Sequence, residues 1–118
     1  MVTKMKESQL RKQCISFLSA IGCSHVDINT NGMPDIYCYF PSTGTKEVKP
    51  FWVEFKTMTG TLSAMQRKRI GDLRAAGIKV AVIRSLDNLR LWMASEDIYF
   101  FPSNSILPGL LKNSKNGL

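Results

Sequence analysis

The stretch Phe51-Trp52-Val53-Glu54-Phe55-Lys56 decides how this chain is read. Phe51, Val53 and Phe55 alternate with Trp52, Glu54 and Lys56, the two-residue period of a β-strand with one face on a core. Glu54 and Lys56 therefore leave the strand on the same side as Trp52. A domain of ordinary size is expected to cover that side with a helix and so bury both charges. Burying ionised groups is costly unless they are paired or serve something. The plainer alternative is a solvated sheet face that an E-x-K pair merely decorates.

Upstream, Asp35 to Phe40 reads as a second strand. Ile36, Cys38 and Phe40 point one way, and Asp35, Tyr37 and Tyr39 the other. The turn signal Asn31-Gly32 and Pro34 precede it, which makes Asp35 a carboxylate at a strand start. Ser24 to Asn29 predicts a shorter strand. From Thr3 to Ile21, Leu10, Cys14, Phe17, Leu18 and Ile21 fall on one face of an α-helix, with Gly22 as its stop. Glu7 lies three residues before Leu10 and is expected on the same inward stripe.

Downstream, Gly60 breaks the strand and a helix is expected from about Ser63 to Ala76. Leu62, Gln66, Ile70 and Leu73 share its stripe, with Met65 beside it. Gly77 ends that helix, and Ile78 to Ile83 is continuously apolar, as suits a strand covered on both faces. Ser85 to Ala94 predicts a further helix, with Asp87 near its start. Beyond Glu96, aromatic residues mix with Pro, Gly and Asn, and no element is predicted. The order α-β-β-β-α-β describes one α/β domain over 1–118, with a mixed sheet flanked by helices.

A chain of 118 residues, 44% of them hydrophobic, supplies one ordinary core and no second. Sixteen Lys and Arg against nine Asp and Glu leave a net charge of +7. That balance favours polyanionic partners, nucleic acid first, through phosphate contacts and counterion release. Lys4, Lys6, Arg11, Lys12, Lys46, Lys49, Arg67, Lys68 and Arg69 are the basic candidates, although any one of them can equally be part of a solvated face. Cys14, Cys23 and Cys38 are odd in number and lack metal-type spacing, so they read as reduced, mostly buried thiols of a cytoplasmic protein. No run approaches the ~18 apolar residues of a membrane span, and the polar N-terminus lacks the apolar stretch of a secretory signal.

If the strands of Asp35 and Glu54 are neighbours, two carboxylates and a lysine converge beside the sheet. Paired carboxylates are hard oxygen donors, suited to Mg²⁺ or Mn²⁺ rather than zinc. The backbone carbonyl of Phe55 is a further oxygen donor at the same place. Such an ion would polarise a phosphodiester oxygen and lower the pKa of a bound water. Lys56 would orient that water and stabilise charge on the phosphate.

Gly32-Met33-Pro34-Asp35-Ile36, then Val53-Glu54-Phe55-Lys56, then Gly60-Thr61-Leu62-Ser63 leading to Gln66, then Leu73 and Gly77 ahead of Val80-Ala81-Val82, resemble the virus-type replication-repair nuclease domain, VRR-NUC. That family is a branch of the PD-(D/E)xK nucleases. The resemblance runs from about Glu7 to Asp87 and implies a restriction-endonuclease-like core. It implies that Asp35 and Glu54 bind metal, that Lys56 is the catalytic lysine, that Glu7 is a helical carboxylate supporting the metal, and that Gln66 is the helix glutamine beside the site. Stand-alone phage and bacterial members act as homodimers on branched DNA, including four-way junctions. The tail beyond about Glu96 lies outside the motifs and is a candidate dimer element.

Two of these residues have rival roles. Glu7 suits the positive end of a helix dipole. Gln66 follows Ser63 at the spacing of a capping box. His25, the sole histidine, reads as structural, and Tyr37 and Tyr39 either border the site or join the core. The expectation is a metal-dependent, structure-specific DNA endonuclease. A non-catalytic DNA-binding module on the same fold and a sequence-specific restriction or homing-type nuclease are the alternatives.

Overall fold

A computed structural model describes residues 5–41 and 48–98 of the chain. In chain order it contains α1 (Glu7–Ala20), β1 (Ser24–Asp27), β2 (Ile36–Tyr39), β3 (Phe51–Phe55), α2 (Ala64–Ala75), β4 (Val80–Ile83) and α3 (Leu86–Ser95). The expected α/β order is present, with α3 completing it as α-β-β-β-α-β-α. The candidate dimer tail lies almost wholly outside the described residues. No described helix is long and apolar enough to cross a membrane.

The four strands form one mixed sheet in the order β1-β2-β3-β4. β1–β2 and β2–β3 are antiparallel neighbours, while β3 and β4 run parallel with α2 as their crossover. A parallel pair needs such a crossover, because a short turn can only reverse the chain. β2 and β3 are thus neighbours, as the convergence of Asp35 with Glu54 requires.

One face of the sheet is the core. Phe51, Val53 and Phe55 of β3 meet Ile36 and Cys38 of β2, Ala81 and Ile83 of β4, and Leu10, Cys14 and Leu18 of α1, with Leu89 and Met93 of α3. All three cysteines are buried and free, and burial pushes the Cys14 thiol up to about 12. On the opposite face α2 packs over β4. There Ile70 of α2 and Val80 of β4 are buried outside the main core. β4 is accordingly covered on both sides, as its unbroken apolar run requires. The expected helical cover over Trp52, Glu54 and Lys56 is therefore only partial. α2 is short and mostly polar, and only a narrow stripe of it can be buried.

α1 begins at Glu7 rather than Thr3. Lys6 is already extended, at φ −75 and ψ 152, and its N–H donates to Gln9 Oε1 at 2.9 Å, closing the helix start. Glu7 is consequently the first helical residue and is exposed, not inward as its spacing from Leu10 predicts. The angle around the helix is as expected, but side chains of a helix lean toward its N-terminus. A first residue therefore leans past the end of the helix instead of onto the core.

All three helices stop in the same way. In α1, the Cys23 N–H donates to Leu18 O and the Gly22 N–H to Ser19 O. The pairs Ile78→Leu73 with Gly77→Arg74, and Ile98→Met93 with Asp97→Ala94, repeat that pattern. The residue in the left-handed region is glycine in α1 and α2, whereas α3 uses Asp97 at φ 57.

Candidate active site

The β2–β3 register pairs Ile36 with Val53 and Tyr37 with Trp52. Continued by one step, it sets Asp35 beside Glu54 on the face away from the core. One step further the ladder meets Pro34, and there the Asp35 side chain takes over. Its Oδ2 accepts the Phe55 N–H at 2.8 Å. The bond holds the carboxylate against β3 and satisfies an amide at the end of the strand. The Phe55 ring is fully buried in the core, so only its backbone belongs to the site.

Glu54 is 2% exposed, and it is the sole charged residue buried this deeply among the described residues. Burial is the main reason that its carboxyl rises to about 7. The neighbouring Asp35 charge adds to the rise, and Glu7 contributes in the same sense, while Lys56 opposes it. Lys56 Nζ lies 3.8 Å from Glu54 Oε2 and its side chain is 16% exposed, so the ammonium stands at the rim of the site. Glu7 is hydrogen-bonded to neither Glu54 nor Asp35 and acts on Glu54 only as a nearby charge.

Gln66 joins the site to the start of α2, and its two expected roles coexist. Its Oε1 accepts the Ser63 N–H at 2.9 Å, while Ser63 Oγ accepts the Gln66 N–H at 3.1 Å. The carboxamide nitrogen is then left facing Glu54, and it donates to Oε2 at 3.0 Å. An N–H donor at Ser63 and an acceptor at Glu54 each demand the same orientation of the amide. The cap thus positions the side chain that holds the carboxylate.

Two contacts that support the site escape a reading of the sequence. Arg84, directly after β4, donates through Nη1 to Thr57 O at 2.6 Å and to Gly60 O at 2.7 Å. It ties down the turn that carries the chain from Lys56 to Ser63. No local pattern marks Arg84, because its partners lie 27 and 24 residues away. Gly32 has φ +81, and a Cβ placed there would come within 2.6 Å of Met65 Cγ. Glycine adopts that φ without strain, and its missing Cβ leaves room for Met65 in the first turn of α2.

Whether these groups suit a divalent cation is tested by their own hydrogen bonding. Glu54 Oε1 is buried and has no hydrogen-bond partner. Such an atom is costly to leave unsatisfied, and a cation would satisfy it. Among the described residues, no three of His, Cys, Asp and Glu form a ready metal cluster. Mg²⁺ is commonly held by one or two carboxylates, with water and substrate phosphate completing the shell. Asp35, Glu54 and the Phe55 carbonyl fit that habit better than a closed protein cage.

Among the described residues, the remaining sequence candidates make no hydrogen bond to Asp35, Glu54 or Lys56. His25 is half-buried and lies 3.6 Å from Asp27 at the β1 edge. Tyr37 and Tyr39 are both on the site face, and neither joins the core. Arg67 and Lys68 have local partners, the Leu62 carbonyl and Asp72.

Against known proteins, the model of one family, the VRR-NUC domain, matches residues 3–87. No curated protein and no solved structure matches the chain.

Proposed function

Since the chain belongs to the VRR-NUC domain family of nucleases, we propose that it hydrolyses DNA phosphodiester bonds at Asp35, Glu54 and Lys56, with Mg²⁺ or Mn²⁺ as cofactor. The observation that carries this reading is the buried Glu54, whose Oε1 lacks a partner while Asp35 and Lys56 stand beside it. A structural ion pair would have no reason to leave that oxygen bare.

Asp35, Glu54 and the Phe55 carbonyl would hold the ion. Bound there, it supplies Lewis acidity toward the phosphate and lowers the pKa of water. Asp35 is kept in place by the Phe55 amide, and Glu54 by the Gln66 amide. These bonds orient the two carboxylates before substrate arrives, so little reorganisation is left for the reaction. Lys56 stands where it can donate to an attacking water or to a charged phosphate oxygen. Glu7 contributes negative potential from the start of α1.

The substrate in this proposal is branched DNA such as a four-way junction, and the acting species a homodimer, one site per strand. The net charge of +7 supports affinity through phosphates. No helix-turn-helix or zinc finger is present among the described elements to read bases, so shape would decide the choice of DNA.

The test is cleavage of labelled junction, flap, single-stranded and linear duplex DNA by wild type and Lys56→Ala, in Mg²⁺, Mn²⁺ or EDTA. Cutting that requires metal and is lost in the variant is expected. Tight junction binding without any cutting by wild type would replace the enzyme with a DNA-binding module.

A further inference from the structure

The site face carries a second feature that the carboxylates and lysine do not explain. Across β1, β2 and β3, Val26 pairs with Tyr37 and Tyr37 with Trp52, all on the face of Asp35 and Glu54 and two residues along the strands from them. The Tyr37 and Trp52 rings meet edge-on, with centroids 5.0 Å apart, and Tyr39 lies 6.1 Å from Tyr37. No described helix packs on β1 or β2 from this side, because α1 lies on the core face and α2 packs over β4, reaching β3 only through Gln66. Val26 is 47% exposed and Tyr39 38%, so the row reaches solvent. An apolar surface in that position suggests an occupant.

We propose that Trp52, Tyr37 and Tyr39 form a stacking platform for an unpaired nucleobase next to the scissile phosphate. The inference rests on the nuclease reading and narrows its substrate to DNA with a splayed or single-stranded nucleotide at the cut. Three observations favour a nucleobase as occupant. The row is continuous with the carboxylate site: Trp52 and Glu54 are two residues apart on one strand, about 7 Å. Its rings are aromatic rather than aliphatic, and every base has a π-face to stack on them. The chain is strongly basic, and Lys49 and Lys56 flank β3 at either end, matching a polyanion whose bases turn inward. A paired base inside a duplex keeps its faces covered by its own neighbours, and the platform has nothing to offer it.

The experiment measures DNA binding in EDTA by fluorescence anisotropy, with a short labelled oligo(dT) and a blunt duplex of equal length. Trp52→Ala and Tyr39→Ala are each expected to weaken oligo(dT) binding about ten-fold, with duplex binding unchanged and Trp52→Phe near wild type. A Trp92→Phe background leaves Trp52 as the remaining tryptophan, and its emission should be quenched by oligo(dT) and not by duplex. Equal losses on both probes, or none, overturn the platform, provided thermal melting shows each variant folded. Sedimentation of the same variants tests the face independently: a dimer that dissociates in Tyr39→Ala makes it a contact between two copies, and the proposal falls. Wild type that stacks oligo(dT) but never cuts DNA breaks the nuclease reading and spares the platform. Wild type that cuts, with both alanine variants behaving as it does, breaks the platform and spares the nuclease.

Discussion

Strand β3 separates two surfaces that obey different rules. On one side Phe51, Val53 and Phe55 are sealed under α1 and α3, packed against carbon and sulfur. On the other, among the described residues, Trp52, Glu54 and Lys56 meet one polar helix over β4 and an aromatic row that no helix covers. Successive residues thus differ in what they contribute. The core side stabilises the fold by removing apolar surface from water. The other side holds a buried carboxyl raised to about 7, whose ionised form costs the free protein stability.

The sharpest way to break that contrast is to change neighbours. Phe55→Ala should cost about 3–5 kcal/mol and leave little folded protein. Lys56→Ala, one residue later, should melt within about 1 kcal/mol of wild type. Denaturant unfolding monitored by circular dichroism compares them, and similar losses in both would mean that the two faces are not separate.

A second test uses pH. Glu54 has an ordinary value of 4.5 and is pushed up to about 7 in the fold, so the folded state binds its proton more tightly than the unfolded chain does. The carboxyl therefore costs nothing below about pH 4.5. Its burial penalty grows as pH rises through 7, to about 3 kcal/mol above that. Stability of the metal-free protein should fall across that window, and Glu54→Gln should flatten the fall. Added Mn²⁺ should return stability at the high end, where the carboxylate is charged. Melting temperatures of both proteins from pH 4 to 8, with and without the ion, are the measurement; parallel curves would remove Glu54 as the cause.

The smallest effect separates the two roles of Gln66. Gln66→Ala loses both the cap and the bond to Glu54, and should cost about 1–2 kcal/mol. Gln66→Glu keeps an acceptor for the Ser63 amide but sets a carboxylate against Glu54. It should recover most of the stability while DNA cleavage stays low. If Gln66→Glu cuts DNA as wild type does, the amide serves the cap alone.

Much of this is legible in the chain itself. Alternation over 51–56 names the strand and assigns its faces, because side chains of a strand alternate whatever it packs against. The spacing of Leu10, Cys14 and Leu18 does the same for α1, and Ser63 with Gln66 announces the start of α2. Asp35, Glu54 and Lys56 are identifiable as charged residues in or next to strands. Glu7 is not placed correctly by the same reasoning, since periodicity gives an angle around a helix but not where the helix begins.

What the sequence determined by itself was local: element types, faces, stops, and the residues able to carry the chemistry. Tertiary structure alone decided that Pro34 stands opposite Phe55, so that the Asp35 side chain takes the amide there. It also decided that the Gln66 amide both caps α2 and holds Glu54, that Arg84 ties the turn after Lys56, and that no described helix covers the aromatic row. The physical reason is reach. Backbone conformation and alternation act over a few residues and can be read from neighbours. Burial, register and hydrogen bonds join residues tens of positions apart, and they exist only once the sheet has formed.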